Sequence, residues 1–537
     1  MTADIQVAGD GLRRGLEPAA MPFGHSSIAA MVANLPHSDE IALKDAFGTL
    51  SYSKLSERIA KACAVLSDFG VSRGTIVAAS APNHSDLVVA FLAAQCMGAV
   101  WLGFNRTLVT AEKVNLLVDS GAEILICDDV VATALEMERE RAPKVRAILT
   151  THHADASFAK AIDAAAPLSI AFDAVDPHAP AGLTYTSGTT GQPKGAVHSQ
   201  HSIMAFVNAA ASLETGAWAP RLRRSLAVSM TILNCMIYGP VLALATGGSF
   251  VSVARVDAAS IGYAIDSDRI EMINCAPTTV HDLFMNPDLA HFSLASLKAL
   301  AAGGAAVSGT LREAVRSRLR IELFEDYGMT ESPCGVAWGA GEVPGALTYA
   351  YPHVAIAIMD DGGREVAPGH VGELCVGPTG SGPWKDVYTG LLGYRGLPDV
   401  TRATFFGRWL RTGDMASRSP EGAVTIVGRK KEMIIRGGAN IYPVEIEQIL
   451  RRDNRIAEAM VTALPDARLG EVVAAYLKLA EGVAADAALK ASLIKLCGSE
   501  LARYKIPEHW IVIDTVPRNA MNKPIKAELA NTPQLRL

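Results

Sequence analysis

A chain of 537 residues, half of them hydrophobic and 19% charged, is longer than one core supports and implies a large globular protein of at least two domains. Its net charge of -6 leaves no basic stripe to follow a phosphate backbone, which excludes nucleic-acid binding as a main role. The eight cysteines form no C-x-x-C pair, which argues against a disulfide framework and a zinc site and fits buried thiols in a reducing compartment.

Met1 to Pro18 lacks the apolar stretch of a signal peptide, so a cytoplasmic location is expected. From about residue 48 to 128 the periodicity alternates. It predicts a helix over 52–66, a buried strand over 75–79, a helix over 83–97 and a strand over 124–126, the pattern of βαβ units around a largely parallel sheet. A short strand over 182–185 follows a Pro-rich connection at 176–180.

Between Leu226 and Ala254 no residue is charged, which is long enough for a membrane span of about 20 residues. Asn234, Gly239-Pro240 and Gly247-Gly248 interrupt it, however, and no Lys/Arg asymmetry frames it, so a buried helix and a core strand over 249–253 are expected instead. The α/β series continues to about residue 328, with strands over 272–275 and 297–302. Pro and Gly then become frequent, and a strand over 371–376 points to a small β-rich subdomain. Past Gly428 come a basic stretch, a strand over 433–435 and a helix opened by Pro443, with Glu445 and Glu447 in its first turn. The expected division is therefore residues 1–430 and 431–537. The expected fold class is α/β, with a large N-terminal domain of α/β subdomains, a small β-rich subdomain and a smaller, mobile α+β C-terminal domain.

Residues 185–195 read Tyr-Thr-Ser-Gly-Thr-Thr-Gly-Gln-Pro-Lys-Gly. Glycines admit backbone N–H groups to phosphate oxygens, hydroxyls add donors and Lys194 adds a mobile positive charge. No G-x-x-x-x-G-K-[ST] can be placed here, so this is not a Walker A loop. Four further constellations follow in order: Asp326-Tyr-Gly-Met-Thr-Glu331 after Gly303-Gly304-Ala305-Ala306, Arg411-Thr-Gly-Asp414 before Gly428-Arg429, Arg436-Gly-Gly-Ala-Asn-Ile-Tyr-Pro443, and Pro517-Arg-Asn-Ala-Met-Asn-Lys-Pro-Ile-Lys526.

This ordered set resembles the adenylate-forming superfamily, which includes acyl-CoA synthetases, firefly luciferase and peptide-synthetase adenylation domains. The resemblance runs from about residue 50 to 529. It implies that Thr186, Ser187, Gly188, Thr189, Thr190, Gly191 and Lys194 hold the β- and γ-phosphates of ATP. It implies adenine and phosphate contacts from Gly303, Gly304, Ala305, Asp326, Tyr327, Gly328, Met329 and Thr330, a Mg²⁺ ligand in Glu331, and nucleotide contacts from Asp414, on the ribose, and Arg429. Lys431 would be the hinge about which the small domain rotates between half-reactions, and Gly437 and Gly438 would line the pantetheine tunnel. Lys523 would contact the carboxylate and α-phosphate. The catalytic set is thus Lys523, Glu331, Thr186 and Lys194.

Two departures stand out: Asn522 replaces the glycine usual before the lysine, and residues 379–389 form an insertion that is either a surface loop or a cover near the site. For the acyl pocket the resemblance points to Ile232, Leu233, Asn234, Tyr238, Ala302 and Gly303. The aromatic and His common in relatives are here Thr231 and Ile232, which implies a more open apolar pocket. Adenylation domains for amino acids place an Asp in the 226–254 stretch to pair the α-amine. None occurs here, and a buried ammonium without a partner is costly.

The expected activity is therefore an ATP-dependent carboxylate–CoA ligase acting on an aryl, alicyclic or fatty acid without an α-amino group, with ATP, Mg²⁺ and coenzyme A required. The alternatives are an acyl-AMP ligase loading a carrier protein and a non-catalytic binding protein of the same fold; no residue selects a luciferase-like oxygenase. The expected partners are the small-molecule acid and CoA, with no nucleic acid, no transmembrane segment and a homodimer as an open assembly.

Overall fold

The computed structural model describes residues 6–153, 155–186, 193–303, 307–341, 346–518 and 524–537. Contacts group the chain into two units, Met1–Ala357 with Cys375–Arg411 and Ile358–Leu374 with Thr412–Leu537.

The first unit is built on two sheets. Among the described residues one has seven strands, in the order Gly393–Tyr394, Lys194–Ser199, Pro180–Thr186, Val100–Gly103, Ile76–Ser80, Ile124–Cys127 and Ala147–Thr150. Its centre is parallel, and Ile76–Ser80 is buried at every position. A parallel strand covered on both faces reads as a continuous apolar run, which is why it was legible in the sequence. The expected helices appear as Tyr52–Asp68, capped by the Ser51 side chain, and Ser85–Cys96, buried along its whole length.

The second sheet runs Tyr349–Ala350, Ser332–Gly339, Leu323–Met329, Ala299–Gly303, Met272–Cys275, Arg223–Leu226, Ser249–Val251, Ile41–Asp45 and Gly48–Ser51. The uncharged stretch folds as a helix Leu233–Met236, a π-turn Ile237–Val241 containing Pro240, a helix Leu242–Ala245 and the strand Ser249–Val251. Proline lacks the N–H that a regular turn would use, which accounts for the widened turn. Among the described residues no helix is long and apolar enough to cross a membrane.

This stretch lies directly on the seven-stranded sheet. A Cβ added at Gly103 would sit 1.7 Å from the Thr231 carbonyl oxygen, and one at Gly182 would sit 2.7 Å from the Leu233 side chain. Gly103→Ala therefore forces backbone apart, and we expect a destabilisation of about 2 kcal/mol, measured as a lower urea midpoint at unchanged slope.

The insertion at 379–389 is exposed over 380–383 and packed at its second half. Trp384 and Val387 pack on Ala205 and Ala209 of the helix Gln200–Ala211. The Thr379 hydroxyl donates to the Trp384 carbonyl at 2.8 Å, and His201 Nε2 lies 2.9 Å from the Val387 carbonyl.

The second unit holds a six-stranded sheet, counted over the described residues, in which Ala439–Ile441, Ile434–Arg436, Gly470–Leu479, His509–Ile513 and Gln534–Arg536 follow in order and Ile456–Asp466 pairs with Gly470–Leu479. Helices Pro443–Leu450 and Ala487–Glu500 contribute to its core. The expected 430/431 boundary falls inside this unit. The physical reason is packing: Gly428 lies against Tyr442 and Val444, and Thr412 donates to the Leu374 carbonyl at 2.7 Å, so residues 412–429 and 358–374 join the C-terminal part.

Candidate active site

In the first unit Thr186 ends one strand and Lys194 begins the next, and the two are antiparallel partners. They flank residues 187–192, so Ser187, Gly188, Thr189, Thr190 and Gly191 lie outside the described residues. Lys194 Nζ stands 5.8 Å from the centroid of the Tyr394 ring, within cation–π range. The Tyr394 hydroxyl in turn donates to Glu331 Oε1 at 2.5 Å. Tyr394 thus joins the hairpin expected to hold phosphate to the carboxylate expected to bind metal. Burial and then the Glu331 charge push its pKa well above the ordinary tyrosine value.

Tyr394 is itself held by the N-terminal segment. Gly396 N donates to Asp10 O at 2.7 Å, Arg13 N donates to Leu392 O at 2.8 Å, and the buried Arg13 guanidinium donates to the carbonyls of Thr389 and Leu391. Leu391 N then donates to the Glu331 carbonyl at 2.9 Å. Neither Tyr394 nor Arg13 was expected from sequence; Tyr394 stands on a two-residue strand, too short to leave a periodic signal.

Glu331 lies in the turn between Leu323–Met329 and Ser332–Gly339. Asn234 Nδ2 donates to the Met329 carbonyl at 3.2 Å, so the acyl-wall segment touches this strand, and Gly328 runs close to the Cys334 backbone. Tyr327 pairs with Ala337 across the sheet, and Thr330 shares the turn with Glu331. Among the described residues no group of three His, Cys, Asp or Glu forms a metal cage. A carboxylate beside a hairpin expected to hold phosphate fits Mg²⁺, which binds through one or two carboxylates plus substrate phosphates.

Of the expected acyl-pocket residues, Leu233 and Ala302 are fully buried, whereas Ile232, Asn234 and Gly303 keep partial exposure and Tyr238 is 8% exposed. Gly303 pairs with Asp326; Gly304 and Ala305 lie outside the described residues. The Asp326 carboxylate accepts the Tyr238 hydroxyl at 2.7 Å and the Tyr351 hydroxyl at 2.8 Å. The uncharged segment therefore has a carboxylate at its side after all, delivered from a strand 88 residues away.

In the second unit Asp414 and Arg429 are cross-strand partners. Arg429 Nε lies 2.7 Å from Asp414 Oδ1, with the aspartate side chain 6% exposed and the arginine 54%. Lys431 sits in a short 3-10 turn, Lys430–Glu432. Gly437 and Gly438 form the two-residue turn between Ile434–Arg436 and Ala439–Ile441 with φ of 57° and 86°, a hairpin turn that favours glycine at both places.

Lys523 lies outside the described residues, but the residues around it are tied together. Arg518 and Pro524 form an antiparallel bridge, and Ile525 N donates to the Pro517 carbonyl at 2.8 Å. The competing Lys526 has its ammonium 2.8 Å from both Glu432 and Glu447. Burial works against its charge, but the two carboxylates outweigh this and hold its pKa above the ordinary lysine value. Lys526 is committed to an ion-pair cluster.

The AMP-binding enzyme domain matches residues 32–382, and the AMP-binding enzyme C-terminal domain matches residues 445–523. The chain belongs to the AMP-binding enzyme family. It is similar to an indoleacetate–CoA ligase of Aromatoleum aromaticum, at 30% identity over 89% of this chain and 92% of that one. It is also similar to the long-chain-fatty-acid–CoA ligase FadD13 of Mycobacterium tuberculosis, at 28% identity over 89% and 92%. The solved structure of ATP-bound MatB from Rhodopseudomonas palustris superposes with a TM-score of 0.84 at 25% identity, covering 94% of this chain and 98% of that one. As a member of the adenylate-forming superfamily the chain is an AMP-forming acyl-CoA synthetase, an ATP-dependent carboxylate–CoA ligase working through an adenylate. Its mixed α/β fold, with a large N-terminal and a small C-terminal domain, is the fold of these neighbours.

Proposed function

We propose that the acid is hydrophobic, of aryl, alicyclic or fatty type, without an α-amino group. The relatives' acids, indoleacetate and long-chain fatty acids, support the class. The observation that carries the chemistry is the Lys194–Tyr394–Glu331 chain, which sets a cation and a hard carboxylate beside one hairpin.

Adenylation brings anions together. A carboxylate oxygen attacks the α-phosphorus, the bond to the bridging oxygen breaks and pyrophosphate leaves, so catalysis is mainly positioning and charge compensation. Lys194 and the hydroxyl of Thr186, with residues 187–191, would hold the β- and γ-phosphates. Glu331, oriented by Tyr394, would hold Mg²⁺, whose contribution when bound is to offset phosphate charge. Lys523 would compensate charge at the α-phosphate and carboxylate. In the second step the CoA thiolate attacks the acyl carbon and AMP leaves, with Gly437 and Gly438 beside the pantetheine and Lys431 as hinge. A cytoplasmic location is part of the proposal and rests on eight cysteines that form no disulfide among the described residues.

Asp414 would accept the two ribose hydroxyls, with Arg429 as the second nucleotide contact. Asp414→Asn keeps the shape and removes the charge, so the KM for ATP should rise at least about tenfold with a smaller change in kcat. An unchanged KM would remove Asp414 from the nucleotide site. The reading as a whole is tested by acid-dependent ATP–pyrophosphate exchange across aryl, alicyclic, fatty and α-amino acids. Exchange with the first three classes supports it, and exchange confined to α-amino acids overturns it.

A further inference from the structure

Asp326 stands on the same strand face as Gly303 and Asn274, at the end of three adjacent parallel strands, and all three keep partial exposure. Two tyrosines from separate elements converge on it: Tyr238 from the π-turn of the wall segment and Tyr351 from the loop after Tyr349–Ala350. Asn274 bonds Tyr238 in turn. Burial lifts the aspartate to a pKa of about 6, with the tyrosine hydrogen bonds opposing that rise, so the group is mainly a carboxylate at neutral pH.

The donor and acceptor balance gives this cluster a direction. Both tyrosine protons are spent on Asp326, one on each carboxylate oxygen. An ionised carboxylate accepts about four hydrogen bonds, so each oxygen keeps accepting capacity, and the tyrosine oxygens can also only accept. Among the described residues the bonds to Asp326 come from these two tyrosines and no Lys, Arg or His pairs with it. Arg224 is fully buried and donates to the carbonyls of Ala217 and Ala219 rather than to Asp326. Asn274 already supplies a donor to Tyr238, so the unfilled acceptor sites are those of the Asp326 carboxylate.

We propose that Asp326, fixed by Tyr238 and Tyr351 and paired with Gly303, is a specificity-determining acceptor in the acyl pocket rather than the nucleotide contact the resemblance implies, and that the preferred acid carries a hydroxyl or neutral N–H on its ring or chain. This rests on the acyl-pocket reading above and narrows it from a hydrophobic acid to one with a single polar donor. A site built to bond a donor rejects the analogue lacking it, because its acceptors are then buried unpaired.

The test compares kcat/KM for matched pairs of aryl and alicyclic acids with and without one hydroxyl, using the full chain with ATP, Mg²⁺ and CoA. Wild type should favour at least one hydroxylated member by about tenfold or more. Asp326→Asn should collapse that ratio toward one, and Tyr351→Phe, which leaves the carboxylate in place but frees one side of it, should reduce it partly. A wild-type ratio near one for every pair overturns the inference while leaving the ligase reading intact. Equal losses for both members in both variants, with the ratio preserved, also overturn it, by assigning the cluster a structural role alone. No turnover of either member of any pair would count against the underlying ligase reading instead.

Discussion

Lys523→Ala is expected to abolish acyl-adenylate formation while leaving thioester formation from supplied acyl-AMP close to wild type. The two half-reactions present different charge problems. In the first, an anionic acid meets an anionic α-phosphate, and removing one preorganised cation from such a site costs about a hundredfold to a thousandfold. In the second, a thiolate attacks an activated acyl carbon and AMP is the leaving group, so that cation has no comparable task. The contrast with Lys526 sharpens the experiment. Lys526 lies 2.8 Å from Glu432 and from Glu447, whose side chain is 7% exposed, so Lys526→Ala should lower the melting temperature by removing a close cation from a buried carboxylate that then keeps only Val461 N and the more distant Arg451. A Lys523→Ala variant that loses both half-reactions equally, or a Lys526→Ala variant that loses only adenylation, would exchange the roles of the two lysines.

The second large effect is at Glu331. Glu331→Gln keeps an acceptor for the Tyr394 hydroxyl but removes the hard anionic ligand that Mg²⁺ requires. Adenylation at limiting Mg²⁺ should fall about a hundredfold, with partial recovery as Mg²⁺ is raised. Tyr394→Phe should cost less, because it loosens the carboxylate without removing it. The measurement is the Mg²⁺ dependence of ATP–pyrophosphate exchange. An unchanged half-saturating Mg²⁺ in Glu331→Gln would take this residue out of the metal site.

The legible parts of the fold are those where one-dimensional pattern and burial coincide. The strand Ile76–Ser80 is apolar because both faces are covered, the helix Tyr52–Asp68 declares itself by an Ser51 cap and a buried stripe, and the order of the motifs carries the family. The uncharged stretch was read correctly as buried rather than membrane-spanning because Gly-Pro and Gly-Gly break it, and Pro240 indeed stands in a π-turn. What escaped was assembled across long sequence distances. Tyr394 reaches Glu331 across 63 positions from a two-residue strand, Arg13 acts across 378, and Asp326 meets Tyr238 across 88. Pairings of this kind leave no local period. Contacts group residues 412–429 with the C-terminal part, whereas the sequence reading divides the chain at 430/431: basic residues at 429–431 resemble a linker, yet the neighbouring Lys430 is anchored by Asp361 and Glu373 at 2.5 Å and 3.1 Å, contacts no local reading can supply.

The most direct test is AMP release from ATP across hydroxylated and unsubstituted aryl, alicyclic and fatty acids, each run with and without CoA, with the acyl-CoA product quantified alongside. The account predicts that CoA accelerates AMP release and that acyl-CoA and AMP appear in equal amounts for at least one of these acids. AMP release that CoA leaves unchanged, with no acyl-CoA formed, would contradict it and point to another acceptor, and no AMP from any acid would contradict the catalytic reading itself.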